Sequence, residues 1–280
     1  MRILIIGAEG QIGSSIFKRA SSSGYEVLAL AHKDLDITDE VSIRRVLPQY
    51  HPTHIINGAA YNAVDQAEED SDGAFRINAL GPAYLALAAR QIGCVLIHYS
   101  SDYVFDGTKQ TPYSEEDAPH PLSVYGRSKL LGEEAVMNIH NKCYVMRTSW
   151  VFAPKGNNFV SRVLKLADTC KELRFRNDLW CAPTYAGDVA HATLALLKIA
   201  APFGIYHAAG SESCTPYEWA RKILGHARPH ISIEAVNGET FSTKATRPEK
   251  PILANTKLEK LGIEIASGIS RLSDYFKANN

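Results

Sequence analysis

Tyr125 and Lys129 stand four residues apart in the stretch Tyr125-Gly126-Arg127-Ser128-Lys129, which puts both side chains on one face of a helix. A phenol with its ordinary pKa of about 10 is a poor proton shuttle at neutral pH. An ammonium beside it favours the phenolate and lowers that value, so the pair can serve as a general acid toward a carbonyl oxygen. Ser100 and Ser101 close the apolar run that begins at Cys94, where a hydroxyl could hydrogen-bond the same oxygen. Tyr-x-x-x-Lys alone is a weak signal, because many helices hold it by chance. Joined to a strand-end hydroxyl and a glycine loop, it becomes strong.

The glycine loop is Gly7-Ala8-Glu9-Gly10-Gln11-Ile12-Gly13, directly after the first apolar run and opening a helix. In such a loop the first glycine permits a tight turn, the second lets a pyrophosphate approach the backbone, and the third lets helix and strand pack closely. The anion then meets the free N–H groups and positive dipole end of the helix, at Gln11 and Ile12. The spacing is GxxGxxG, a variant of GxGxxG, and its position separates it from a plain glycine-rich turn. The second strand ends at Leu30-Ala31-His32-Lys33, where an NAD-selective site usually carries an acid. His32 and Lys33 favour the extra phosphate of NADPH, while Asp34 could invert the preference and keeps NADH open. Asp36 could approach the adenine edge; its plainer roles are a solvated loop carboxylate or a helix cap.

Groups so far apart in the chain need a scaffold. Arg2 to Ile6, Glu26 to Leu30, His54 to Asn57, Cys94 to Tyr99 and Cys143 to Thr148 read as buried strands. Ile12 to Ser22, Val41 to Gln49, Ala74 to Ile92 and Ser128 to Asn138 carry helical spacing between them. This alternation predicts an α/β fold, a doubly wound Rossmann-type parallel sheet with helices on both faces. After Trp150 the turn-rich Ala153 to Asn158 intervenes, then helical runs at Phe159 to Ala167 and Ala186 to Ala200 and a strand at Gly204 to Ala208. The remainder is rich in Pro, Gly and Thr up to Lys250 and ends in helical patterns at Thr256 to Leu261 and Ile269 to Ala278. The pattern divides the chain into a dinucleotide-binding lobe, 1–150 with about 185–208, and a small substrate lobe, about 151–184 with 209–280.

Composition narrows the function. The 280 residues carry 30 Lys+Arg against 30 Asp+Glu, with 45% hydrophobic residues, which is globular rather than disordered. Zero formal charge and no basic run argue against nucleic acid as a partner. No apolar stretch approaches a membrane span, and the start runs into a strand without a signal-peptide layout, so a cytoplasmic location is expected. Cys94, Cys143, Cys170, Cys181 and Cys214 form no CxxC pair and read as reduced thiols. No HExxH or zinc-finger spacing is present, so no metal is expected and activity should survive chelation.

Taken together, the motifs resemble the extended short-chain dehydrogenase/reductase superfamily and, within it, the dTDP-4-dehydrorhamnose reductase family. The resemblance rests on residues 10–13 (GQIG), 57–68 (NGAAYNAVDQAE), 100–107 (SSDYVFDG), Tyr125 to Lys129, 147–152 (RTSWVF), 156–160 (GNNFV), 182–184 (APT) and Arg247-Pro248. These run in family order over nearly the whole chain, and the second and third blocks are the specific ones.

The resemblance implies NAD(P)H-dependent reduction of a 4-keto group on a nucleotide-linked 6-deoxy sugar. Its catalytic set maps onto Ser101, Tyr125 and Lys129, with Ala59, Ala60 and Tyr61 on the cofactor side. It also implies that Val64, Tyr103 and Trp150 line the sugar or ring contacts, and that Asn158 and Arg247 lie toward the nucleotide. Each has a plainer rival: Trp150 as an inter-lobe plug, Val64 as core, Arg247 as a surface ion-pair partner. Two departures stand out. The family's Asp-Gln-x-Gly-x-Pro-Thr is here Asp178-Leu179-Trp180-Cys181-Ala182-Pro183-Thr184, which predicts a more apolar sugar wall. Some members link a homodimer through magnesium and an acid in the first helix; Ser14 and Ser15 stand there, so the metal is not carried over, and a homodimer stays open. Competing readings are an epimerase or dehydratase that retains NAD, and a non-catalytic regulatory subunit on the same fold.

Overall fold

Ile3 and Ile5 leave the first strand toward one side, Leu4 and Ile6 toward the other, and all four are buried. Successive strand residues face opposite sides of a sheet, so a strand apolar at every position must be covered twice. That requirement organises the molecule. The computed structural model describes residues 1–241 and 243–278.

In chain order the first half comprises β1 (Arg2–Ile6), α1 (Gln11–Ser22), β2 (Glu26–Leu30), α2 (Glu40–Val46) and β3 (His54–Asn57). The short α3 (Val64–Ala67) and α4 (Ser71–Phe75) follow, then α5 (Gly81–Ile92), β4 (Val95–Ser101), α6 (Val124–Ile139) and β5 (Cys143–Thr148). The second half holds β6 (Val151–Phe152), α7 (Phe159–Ala167), β7 (Glu172–Arg176), β8 (Thr184–Tyr185), α8 (Ala186–Lys198), β9 (Gly204–His207), α9 (Pro216–Ala227), β10 (Ser232–Val236), α10 (Thr256–Lys260) and α11 (Leu272–Lys277). Six parallel strands pair in the order β2-β1-β3-β4-β5-β9. The order reverses between β1 and β3, and ligands of open α/β sheets bind beyond the carboxyl ends of the strands at such a switch point.

One face of the sheet packs Ile3, Ile5, Ile97 and Tyr144 on Ile16 of α1 and Val189 and Leu197 of α8. Leu258, Ile263 and Ile265 also reach this face, so the C-terminal segment returns to the sheet. The other face packs Leu4, Ile6, Ile55 and Val145 on Ile43 of α2, Leu85 of α5 and Val136 of α6. A further core joins Phe152, Val160, Phe175, Trp219 and Ile223, built by α7, α9 and the two-stranded sheet of β7 and β10.

Besides the short strands β6, β7, β8 and β10, which the sequence reading did not contain, three helical elements depart from it. The helix expected over Ala74 to Ile92 is broken by a π turn at Arg76–Leu80, a feature that recurs at functional sites. There Asn78 turns inward, giving its amide hydrogens to the Tyr61 carbonyl and Ser128 Oγ at 3.0 Å each and accepting from Tyr61 N at 2.8 Å. The next helix begins at Val124, four residues earlier than expected, because Ser123 caps it by accepting from Gly126 N at 3.1 Å. Helix α9 lies in the segment read as irregular. Its signal is the capping box Thr215-Pro216-Tyr217-Glu218, with Thr215 and Glu218 bonding each other's backbone and Pro in the first turn.

Candidate active site

Four strand ends converge where the sheet order reverses. Behind β1, Gly7 takes a left-handed φ of +72°, and a Cβ there would lie 2.6 Å from Ala59 N. A Cβ on Gly13 would lie 2.4 Å from Gly7 O, so helix α1 can approach the sheet this closely only through glycine. The N-terminus of α1 has no side-chain cap and no acid in its first turn. Its N–H groups and dipole thus stay available to an anion.

Beyond this loop lies a cavity of about 360 Å³, within the usual range of a small-molecule site. Gly10, Gln11, Ile12, Ala59, Ala60, Val64, Ser101, Tyr103, Tyr125, Lys129 and Trp150 all line it, as the sequence led one to expect. Ser100, Thr148, Asn62 and Asn157 line it too; all four lie within the motif blocks, but only the Ser100 hydroxyl was considered there for a site role. The Ser100 and Thr148 hydroxyls are buried without a protein partner, which leaves a ligand to satisfy them. The open helix end, the glycine cradle and these hydroxyls fit a dinucleotide with its reactive end in the cavity.

Lys129 is 2% exposed and donates from Nζ to the Tyr99 carbonyl at 2.5 Å. Burial lowers its pKa to about 8, against the opposing charge of Glu133 one turn on, so it remains mainly an ammonium at neutral pH. Tyr125 lies edge-on to Tyr103, ring centres 5.5 Å apart, and its hydroxyl is 3.5 Å from Asn62 Oδ1. The expected lowering of its pKa does not occur in this state. Burial pushes the phenol up to about 12; the hydrogen bond with Ser101 opposes this and the Asp102 charge adds to it. A phenol held protonated is the right form for donating a proton. Ser101 Oγ donates to Asp102 Oδ1 at 2.8 Å, and Ser149 Oγ donates to Asp102 Oδ2 at 2.6 Å.

The remaining expected residues sit elsewhere. Asn158 does not line the cavity. Its oxygen caps α7 by accepting from Ser161 N at 3.0 Å, and its amide donates to Gln11 Oε1 at 3.0 Å and Ala153 O at 2.9 Å. It therefore fixes Gln11, while the neighbouring Asn157 faces the cavity. Arg247 forms a two-pronged pair with Asp65 at 3.0 and 2.6 Å, tying the C-terminal segment to α3 beside Tyr103. Trp150 both lines the cavity and packs edge-on against Phe159 at 5.1 Å, with a left-handed φ of 43°. Such a backbone is uncommon for a bulky residue and recurs where a side chain must be aimed. Val64 opens α3 and packs near Tyr125. Tyr61 is held by Asn78 at its backbone.

His32 and Lys33 are exposed beyond β2. Asp34 is turned back to accept from Ala31 N at 2.9 Å, so its carboxylate is occupied by the strand end. Asp36 accepts from both Thr38 N and Thr38 Oγ1 at 2.8 and 2.9 Å, and those bonds lower its pKa; the cap of α2 is Asp39.

The apolar sugar wall expected at Leu179 and Cys181 is not there. Cys181 is fully buried and faces Cys214 across an antiparallel bridge, each N–H donating to the other's carbonyl at 2.9 Å. Leu179 is 5% exposed and, like Cys181, does not line the cavity, whereas Trp180 between them turns outward beneath Lys250. Extended backbone alternates its side chains, and here the inward pair joins the core. Among the described residues no three His, Cys, Asp or Glu side chains are grouped to hold a metal, and no helix is long and apolar enough to cross a membrane.

A doubly wound parallel sheet, a glycine loop at its switch point and a Ser–Tyr–Lys set at one cavity define an extended short-chain dehydrogenase/reductase. The chain belongs to the RmlD substrate binding domain family, whose model matches residues 1–279. It is 39% identical to a dTDP-4-dehydrorhamnose reductase of Aggregatibacter actinomycetemcomitans, over 92% of each chain. It is 38% identical to the spore coat polysaccharide biosynthesis protein SpsK of Bacillus subtilis (strain 168), over 99% of this chain and 97% of that one. The structure of a dTDP-4-dehydrorhamnose reductase of Bacillus anthracis in complex with NADP superposes with a TM-score of 0.95 at 34% identity, covering 99% of both chains.

Proposed function

We propose that this protein is a dTDP-4-dehydrorhamnose reductase, reducing the 4-keto group of a dTDP-linked 6-deoxy sugar with NADPH. The observation that carries the reading is the meeting of Ser101, Tyr125 and Lys129 at one cavity with the open end of α1. NADPH, when bound, supplies the hydride for the keto carbon. Gly10, Gln11 and Ile12 would hold its pyrophosphate, and His32 and Lys33 its 2′-phosphate. Tyr125, kept protonated by burial, donates the proton that the reduced oxygen requires. Lys129 has one hydrogen on Tyr99 O and two others for the ribose. Val64, Tyr103 and Trp150 would shape the sugar pocket, and Asn157, which lines the cavity, would take the nucleotide-side position expected of Asn158. The division into a dinucleotide lobe and a substrate lobe belongs to the same reading, supported by the separate core around Trp219.

The test is incubation of the purified protein with NADPH and dTDP-4-dehydrorhamnose. Stoichiometric loss of NADPH absorbance and formation of dTDP-rhamnose are expected. Conversion of a sugar nucleotide without net NADPH oxidation would make the protein an epimerase instead.

A further inference from the structure

A hydroxyl has one hydrogen to give and two lone pairs, and the one hydrogen of Ser101 is already committed. Its hydrogen goes to Asp102 Oδ1 at 2.8 Å. One lone pair accepts Tyr103 N–H at 3.2 Å. In this arrangement Ser101 has no hydrogen left to donate to a substrate ketone, while the Tyr125 hydroxyl is directed at Asn62 Oδ1. Asp102 is 2% exposed, and its second oxygen accepts from Ser149 Oγ at 2.6 Å.

Resting on the reading of the site as a ketone reductase, we propose that Asp102 is a positioning residue whose protonation turns the Ser101 hydroxyl toward the substrate. Ionised, Asp102 draws the Ser101 hydrogen away from the cavity. Protonated on Oδ1, it donates to Ser101 Oγ, and the Ser101 hydrogen swings to the ketone oxygen beside the Tyr125 proton. No bond other than O–H changes in this switch, and the proton on Asp102 comes from solvent.

The surroundings suit such a group. The side chains that act on it are the Tyr103 and Tyr125 phenols and the Cys181 thiol, all kept in their protonated forms by burial. Lys129 and Arg247, the nearby cations, are engaged by the Tyr99 carbonyl and by Asp65. With burial the dominant influence and the two serine hydrogen bonds opposing it, the Asp102 pKa rises to about 6. The neutral form is thus populated within the range where the protein would work.

The pH dependence of kcat/KM for NADPH-driven ketone reduction separates the outcomes. Wild type should lose about tenfold per pH unit above 6. D102N, whose amide donates to Ser101 and accepts from Ser149, should lack that limb and exceed wild type by up to about 100-fold at pH 8. S149A removes a donor to the ionised carboxylate, so its limb should move to higher pH. Independently of turnover, the infrared carbonyl band of a buried protonated carboxyl should disappear near pH 6 in wild type and be missing in D102N. A shared limb in wild type and D102N, an infrared band that does not titrate there, or a D102N that binds NADPH yet is inactive at every pH would overturn the inference. If wild type reduces no keto-sugar nucleotide at any pH, the functional reading itself fails, an outcome distinct from the others.

Discussion

Glu133 lies one helical turn beyond Lys129 and grips Arg147 of β5 through both carboxylate oxygens, at 2.6 to 3.2 Å, with each side chain 2% exposed. Arg147 also lies 5.0 Å from the Phe105 ring centre, so the pair bolts α6 to the sheet directly behind the catalytic lysine. Removing one partner of a buried pair leaves the other charge uncompensated, at a cost of about 3–5 kcal/mol. E133Q should therefore lose stability on that scale in urea unfolding and should also lower the Lys129 pKa, since Glu133 raises it. Full stability in E133Q would show that water or a rotated neighbour compensates Arg147.

Tyr125→Phe removes the proton donor and nothing that holds the cofactor loop. NADPH affinity, read by fluorescence titration, should stay near wild type while kcat drops roughly 100- to 10,000-fold. A variant with half the wild-type rate would take Tyr125 out of the mechanism.

Cofactor choice turns on the end of β2. With Asp34 occupied by Ala31 N, the exposed Lys33 is free to meet a 2′-phosphate. Lys33→Ala should lower the NADPH/NADH ratio of kcat/KM, by about two- to fivefold for one exposed charge contact. An unchanged ratio would assign the preference to His32 or to the fold around it.

A sugar wall at Leu179 would make Leu179→Gln sharpen sugar selectivity. Because Leu179 is buried away from the cavity, the selectivity among 4-keto-6-deoxy sugars should not move. An amide placed there without a partner costs about 1–3 kcal/mol, so thermal unfolding should shift downward instead. A changed sugar preference at unchanged stability would bring this segment back into the site.

Much of this protein follows from sequence alone because its signals are local. Strands buried on both faces carry unbroken apolar runs, so Ile3 to Ile6 of β1 and Cys143 to Met146 of β5 announce themselves within a few residues. The glycine loop and Tyr-x-x-x-Lys are legible because a backbone turn and a single helical turn fix their geometry without help from distant chain. What the tertiary structure alone decided is everything that depends on which way a side chain is turned by residues far away. Asn158 became a cap bonded to Gln11 across 147 positions, and Cys181 met Cys214 instead of a sugar. Arg247 was claimed by Asp65 from the other end of the chain. Burial reversed the expected shift of Tyr125, since desolvation is a property of the packed site and not of the lysine four residues on. Asp102, adjacent to Ser101 in sequence, acquired its elevated pKa only when the fold closed over it, and the fold also brought the Ser149 hydrogen bond that opposes the rise. Periodicity and motif specify the frame, while desolvation and long-range hydrogen bonding exist only once the chain is folded.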